Sequence, residues 1–158
     1  GRPLDPLCEA ILSRRQRLGS VAVQRQEIIE AFERLPAAVR SAPAGELELA
    51  EFEEEFGSIP AAFRWFLVSL GGGPVGSEWL DDISALPQSH RKFSRECSEP
   101  GGWSAGKYFL IGWDGAGNPI GLDSAKRVVV EDHNFGGIHV LASSLEEFLS
   151  QGLLHHGQ

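Results

Sequence analysis

Four short apolar segments follow one another between Lys107 and Ala142: YFLIGW, PIGLD, RVVVEDH and GGIHVLA, all rich in β-branched or aromatic residues. The stretches between them, DGAGN among them, are too short for the dozen or more residues that a parallel crossover needs. The segments are therefore predicted to pair antiparallel with their chain neighbours. The chain up to about Gly71 follows a helical period. Leu4, Leu7, Cys8, Ile11, Leu12 and Leu18 recur at steps of three and four, as do Val21, Ile28, Ile29, Phe32 and Leu35. This pattern predicts two amphipathic helices ahead of the breaker SAPAG at 41–45. A third helix carries Leu47, Leu49, Phe52 and Phe56 and stops at Gly57. Ser58 is placed to cap a fourth, which has Pro60 near its start, Phe63, Phe66, Leu67 and Leu70 facing inward, and Gly71 at its end.

The stretch 71–106 is rich in Gly, Pro and Ser and reads as a long loop, with regular structure only around Trp79 to Leu86. At the far end, Ser143 and Ser144 stand three residues before Glu146 and Glu147, as overlapping capping boxes. They open a helix with Leu145, Phe148 and Leu149 inside and a stop near Gly152. Helices, a meander and a final helix make an α+β fold, a mostly antiparallel sheet flanked by N-terminal helices and a C-terminal helix. Residues 1–45 read as a helical extension packed on the domain, 46–152 as the α+β domain and 153–158 as a flexible tail.

A chain of 158 residues suffices for one domain, and 42% hydrophobic with 23% charged residues excludes wholesale disorder. The net charge of -8 argues against a grip on nucleic-acid phosphates or an anionic membrane, and favours a basic partner. The charge is uneven. Positions 1–45 hold seven Arg against five acidic residues, and the other seven basic residues of the chain face seventeen acidic ones. Arg14, Arg15 and Arg17 read as a solvated helix edge. Two cysteines, Cys8 and Cys97, match neither zinc spacing nor a redox pair. They read as reduced thiols. No apolar run reaches the length of a membrane span, and the opening residues form no signal-peptide core, so a cytoplasmic protein is expected.

The motifs that could carry chemistry fail on context. Gly101 to Lys107 fits G-x-x-x-x-G-K, but Tyr108 stands where a phosphate loop needs Ser or Thr, SEP precedes it and a strand follows. Asp114, Asn118 and Asp123 suggest calcium, yet the other oxygen ligands are missing, and two glycines explain the Asp114–Asn118 segment as a hairpin turn. His133 with Asp132 and Asp123 is the one acid/base combination that a small metal-dependent hydrolase could use. Each falls at a strand end or turn, with Glu131 and His139 nearby. No catalytic residue, cofactor site or metal site is assigned.

The run Glu46, Glu48, Glu51, Glu53, Glu54, Glu55 reads in the first place as a solvated helix face; the second reading is that, with Glu78, Asp81 and Asp82 downstream, it builds a negative surface that imitates the charge of nucleic acid and attracts a basic protein. Of the four tryptophans, Trp65 reads as core, while Trp79 and Trp103 lie in expected loops and are candidate contact anchors. The partner-binding set is therefore Glu51, Glu53, Glu54, Glu55, Glu78, Trp79, Asp81, Asp82 and Trp103.

From Glu46 to Phe148 the order of features resembles the SUKH superfamily, named for the fungal Smi and Knr cell-wall regulators and their bacterial relatives. The features are Phe56-Gly57, Ile59-Pro60, Phe63, Trp65-Phe66-Leu67, Gly71-Gly72-Gly73, Tyr108 to Gly112, Asp114 to Asn118, Ile120 to Asp123, Glu131-Asp132-His133 and Ala142 to Leu149. The resemblance implies an antiparallel α+β fold in which Gly57, Pro60, Gly72, Gly115, Gly117 and Asp123 are structural. It also implies either a bacterial immunity protein, which neutralises a cognate nuclease or nucleic-acid deaminase toxin, or a regulatory scaffold in cell-wall or envelope signalling. Neither role requires an enzyme.

Overall fold

A computed structural model describes residues 5–155 of the chain. Asp5 opens the first helix, its Oδ1 accepting the backbone N–H groups of Leu7 at 2.8 Å and Cys8 at 3.1 Å, with Pro6 at the first position. Helix α1 then runs unbroken over Pro6–Glu33, where the sequence predicts two helices. Gly19 weakens the middle by about 1 kcal/mol relative to Ala, which does not stop a helix whose second half is anchored by buried Ile28, Ala31 and Phe32. The first half is different. Leu7, Ile11 and Leu12 are exposed, while Leu4 and the side chains of Arg15, Arg17 and Leu18 lie outside the described residues.

The extension belongs to the body through Arg25. Its guanidinium donates to Glu146 Oε1 at 2.9 and 3.1 Å and lies 4.6 Å from the centre of the Trp65 ring. Arg25→Ala removes both contacts and leaves the nearly buried Glu146 carboxylate unpaired. The expected cost is about 2 kcal/mol, read from urea unfolding of the variant.

After a 3-10 turn at Ala37–Val39, α2 covers Glu46–Phe56 and α3 covers Ala61–Ser69. Gly57 ends α2 with φ +96°, a conformation that L side chains rarely adopt. Pro60, not Ser58, occupies the N-cap of α3, and no side chain caps that helix.

Strands β1 (Gly73–Val75) and β2 (Glu78–Leu80) form a hairpin. The rest of the sheet is β3 (Tyr108–Trp113), β4 (Pro119–Asp123), β5 (Val128–Glu131) and β6 (Ile138–Ala142). All six strands pair antiparallel in chain order, which makes the meander complete. Alternation divides β3 between two faces. Phe109 and Ile111 join the main core under the α1, α2, α3 and α5 side, whereas Tyr108 and Leu110 join a smaller cluster with Phe93 and Val129. A bulge between Leu110 and Gly112 shifts the register there. A Cβ at Gly112 would stand 2.4 Å from the Trp79 carbonyl oxygen, so only glycine lets β2 come this close.

The expected long loop at 71–106 holds both the β1–β2 hairpin and a helix, α4, over Leu86–Cys97. Leu86, His90, Phe93 and Cys97 make its inner stripe at steps of four, three and four. His90 donates from Nε2 to the Leu110 carbonyl at 2.9 Å and packs against Phe52, Phe56 and Phe109. Burial holds this imidazole below its ordinary pKa, with the bond to Leu110 opposing, so it sits neutral against the sheet.

Helix α5 covers Leu145–Ser150 and uses one cap instead of two: Ser144 Oγ accepts the Glu147 N–H at 3.1 Å, and Glu147 Oε2 accepts the Ser143 N–H at 3.0 Å. Glu146 turns inward to Arg25. The helix passes directly into a π-helical turn at Gln151–His155, and Leu153 packs on the core. The segment expected as a tail from residue 153 is thus part of the fold at least to His155.

Candidate functional site

Helix α2 places its acidic residues unequally. Leu49 and Phe52 anchor one side in the core, and Phe52 stacks on Phe56 at 4.7 Å. Glu48 reaches back to the Gly45 N–H at 3.1 Å, a favourable charge at the helix start. Glu53, Glu54 and Glu55 stand at the opposite end, where the helix dipole disfavours carboxylates and where the last turn holds no basic residue. Two of the three are compensated: Glu53 accepts the Ile59 N–H at 3.1 Å and approaches Arg64 at 3.5 Å, and Glu55 pairs with Arg91 at 2.8 Å. Glu54 is exposed and makes no hydrogen bond or ion pair among the described residues, and the same holds for Glu51.

Between α2 and the segment leading into α4 lies a groove of about 260 Å³. Glu48, Glu51 and Glu55 line one wall, and Ile83, Ser84, Pro87 and Arg91 line the other. Leu47, read with Leu49, Phe52 and Phe56 as an apolar position of this helix, is 72% exposed on the outer side of α2. It adds an apolar contact to the acidic edge. The sequence signals that were missed are this outward Leu and the α4 stripe that supplies Arg91.

The remaining predicted site residues divide. Trp79 is 48% exposed on β2, directly across from Trp113 in the strand register. Trp113 is held down by a bond from its Nε1 to Ser89 Oγ at 3.1 Å and by Lys92, whose Nζ lies 4.3 Å from its ring centre. Trp103 is half-buried, not free: its Nε1 donates to Glu96 at 3.3 Å and its ring meets His133 edge-on. Glu78 is half-buried beside Ser77. Asp82 closes the turn into α4, accepting from Ser84 Oγ at 2.6 Å and from the Ala85 N–H at 2.8 Å. Burial pushes its carboxyl up, but the hydrogen bonds from Ser84, Ser41 and the turn backbone outweigh this and hold it below the usual range.

Asp81 cannot belong to a surface at all. It is 8% exposed and one of its oxygens is buried without a partner. Burial raises its carboxyl to about 6, with a bond from Ser89 opposing and Asp82 adding repulsion. Because the folded value lies above that of the unfolded chain, the ionised carboxylate destabilises the fold above about pH 6, and the penalty fades as pH falls toward 4. Asp81→Asn is therefore expected to stabilise the protein by about 1–3 kcal/mol at pH 7.5 and by little at pH 4, as read from denaturant midpoints at the two pH values.

The acid/base trio does not assemble. Asp123 closes the β4–β5 turn, accepting from the Ala125 and Arg127 N–H groups and from Arg127 Nε at 2.9 Å. Asp132 accepts from the Asn134 N–H at 2.7 Å and the Phe135 N–H at 3.0 Å. His133 binds buried Asn118 through both its backbone N–H and its ring. Asp114 accepts from the Ala116 and Asn118 N–H groups, so the glycine turn closes on its own carboxylate. Among the described residues, no three His, Cys, Asp or Glu side chains are grouped to hold a metal ion, and no helix is long and apolar enough to cross a membrane.

A meander flanked by helices, with an acidic α2 ending at Gly57, is what a family model then matches over residues 43–151: the SMI1 / KNR4 family (SUKH-1). The chain belongs to the SUKH-1 family. The match begins just before α2 and ends just after α5, so it takes in the whole sheet and leaves α1 outside. No curated protein matches the chain with significant similarity.

Proposed function

We propose that this SUKH-1 chain is a non-enzymatic, cytoplasmic immunity protein that binds a cognate basic toxin domain, a nuclease or nucleic-acid deaminase, and neutralises it by occlusion. The contact surface is the outer edge of α2, with Leu47, Glu51 and Glu54, continued by the groove that Glu48 and Glu55 line. Trp79 is a second candidate anchor.

The observation that carries this reading is Glu54, an exposed carboxylate with no partner among the described residues, at the helix end where the dipole disfavours it. Local stability gives no reason for that charge, whereas a cationic cleft on a partner does. Long-range attraction to such a cleft would raise association toward about 10⁸ M⁻¹s⁻¹ at low salt, and the apolar anchors would slow dissociation.

The test is capture of partners on the immobilised full chain from the lysate of its source organism at low and moderate salt, with mass spectrometry of what remains. One stoichiometric basic protein bearing a nuclease or deaminase domain is expected to survive moderate salt. A spread of envelope or cell-wall signalling proteins would replace this reading with the scaffold role, and an empty column would count against both.

A further inference from the structure

Carboxylates line several hollows of this surface. Glu96, Glu131 and Asp132 line one of about 470 Å³ beside Trp103, Glu78 lies in one of about 240 Å³, and three glutamates line the groove between α2 and α4. The two hollows that flank α4 differ. One measures about 720 Å³ and the other about 560 Å³, and neither has an Asp or Glu in its wall, in a chain with 22 acidic residues. Basic residues gather there instead. Arg91, Lys92 and Arg95 are three of the seven that follow position 45, and Arg91 and Arg95 line both hollows.

The larger hollow has a ring-lined apolar wall. Phe56, the last residue of α2, meets His90 and Phe93 of α4 there, and Cys97 and the Ala105–Gly106 turn complete the wall. His90, neutral against the sheet, adds a ring and not a charge. The volume falls in the range of small-molecule sites, which combine an apolar lining with a few placed polar groups. Here those groups are two guanidiniums four residues apart on one helix, hence neighbours on one face. Arg95 is exposed and makes no hydrogen bond or ion pair among the described residues. Arg91 donates from one nitrogen to Glu55 at 2.8 Å, in a pair that is open to water on both sides, so the contact is weak and other N–H groups of the guanidinium remain for a ligand.

These features select the ligand. Two guanidiniums favour an anion, and a carboxylate matches their planar fork. Helix α4 ends in the same wall, at Cys97 and Ser98, and the partial negative charge of its carbonyl end disfavours a phosphate dianion more than a monoanion. Glu55 beside Arg91 and the net charge of -8 disfavour a nucleic-acid strand. The Phe56, His90 and Phe93 rings favour a flat apolar body.

We infer that the hollow between the end of α2, α4 and the Ala105–Gly106 turn binds a small aromatic monocarboxylate, with its carboxylate on Arg91 and Arg95 and its ring against Phe56 and Phe93. Arg95 does not line the groove between α2 and α4, so this site and the proposed toxin surface can fail separately.

The two cysteines supply the test. Cys97 lines the hollow, and burial, with Glu131 and Glu96 nearby, raises its thiol above the ordinary value, whereas Cys8 is exposed on α1. The full chain is alkylated with iodoacetamide in the presence of indole-3-propionate, 3-phenylpropionate or their amides. Mass spectrometry follows each cysteine, and calorimetry gives the affinities. Both acids are expected to bind with a Kd of about 1 mM or tighter, as their size allows. They should slow alkylation of Cys97 severalfold and leave Cys8 unchanged. The amides keep the ring and lose the charge, and are expected to bind about tenfold more weakly, as are the acids to Arg95→Gln. Arg95 is exposed, so unchanged circular dichroism of that variant separates loss of binding from loss of fold. Lys126→Gln, which removes a positive charge from the exposed β4–β5 turn, is the control expected to bind like the parent. Absence of Cys97 protection by either acid, equal binding of the amides, or indifference to Arg95→Gln would overturn the inference. Tighter binding of the peptide Gly-Gly-Phe than of 3-phenylpropionate would overturn it too, and would assign the hollow to the C-terminus of a polypeptide.

Discussion

Phe66→Ala is expected to lower the free energy of unfolding by about 3–5 kcal/mol, the range for truncating a fully buried Phe. Phe66 has no exposed surface and sits where the helical side of the core converges. Its ring stacks on Phe63 at 5.6 Å and meets Phe32 of α1 edge-on at 6.4 Å, so one side chain links α3 to the N-terminal extension. Removing it leaves a cavity that rigid neighbours from two helices cannot close, and forfeits both aromatic contacts as well as the apolar burial. A domain of this size commonly has about 5–15 kcal/mol in total, so the loss is a large share and would lower Tm by roughly 6–20 °C. Phe66→Leu keeps most of the volume and is expected to cost less than half as much. Thermal unfolding followed by circular dichroism distinguishes the two.

The four strands from Tyr108 to Ala142 were readable from sequence because their signals are local, whereas β1 and β2 are three residues each and lay hidden in the expected loop. Each apolar run is bounded by a turn, and the turns at Asp114 and Asp123 close on the carboxylates that open them. Helix α4 escaped notice because two of its four inward positions are His90 and Cys97, residues whose type does not declare burial, and the positions between are polar. Tertiary context decides such cases: His90 faces inward because the Leu110 carbonyl and three Phe rings await it. The same limit explains the candidate site. A run of glutamates marks α2 as acidic, but only the fold separates Glu53 and Glu55, which are used locally, from Glu51 and Glu54, which have no partner among the described residues. Likewise Asp81 and Asp82 are neighbours in sequence with opposite fates, one buried with an orphan oxygen and the other closing an exposed turn. Leu47 fits a helical period yet faces water, because a period fixes which residues share a face and not which face is covered.

Reversal of the two free carboxylates, Glu51→Lys with Glu54→Lys, is expected to weaken binding of a captured basic partner by about 100-fold, within the range by which charge steering changes association. Both residues are exposed and have no partner among the described residues, so the double variant should keep its Tm within a degree or two. Most of the loss should fall on the association rate, and raising the salt concentration should narrow the gap between variant and parent, since screening removes the term that the reversal alters. Glu53→Gln makes the contrast. Its carboxylate serves the Ile59 N–H and Arg64, so that change should act on stability and leave the association rate nearly untouched. Surface plasmon resonance at several salt concentrations reads all three proteins.

The most direct measurement is a titration of the partner's toxic activity, nuclease or deaminase turnover on its nucleic-acid substrate, with the purified chain. A neutralising immunity protein acts by occupying the toxin. Activity should therefore fall linearly to zero at one chain per toxin, with both proteins recovered chemically unchanged and the activity restored on dissociation at high salt. Complete inhibition by a small fraction of an equivalent would mean that the chain acts catalytically, and full toxin activity in a saturated complex would mean that binding does not neutralise. Either result would contradict the proposed function.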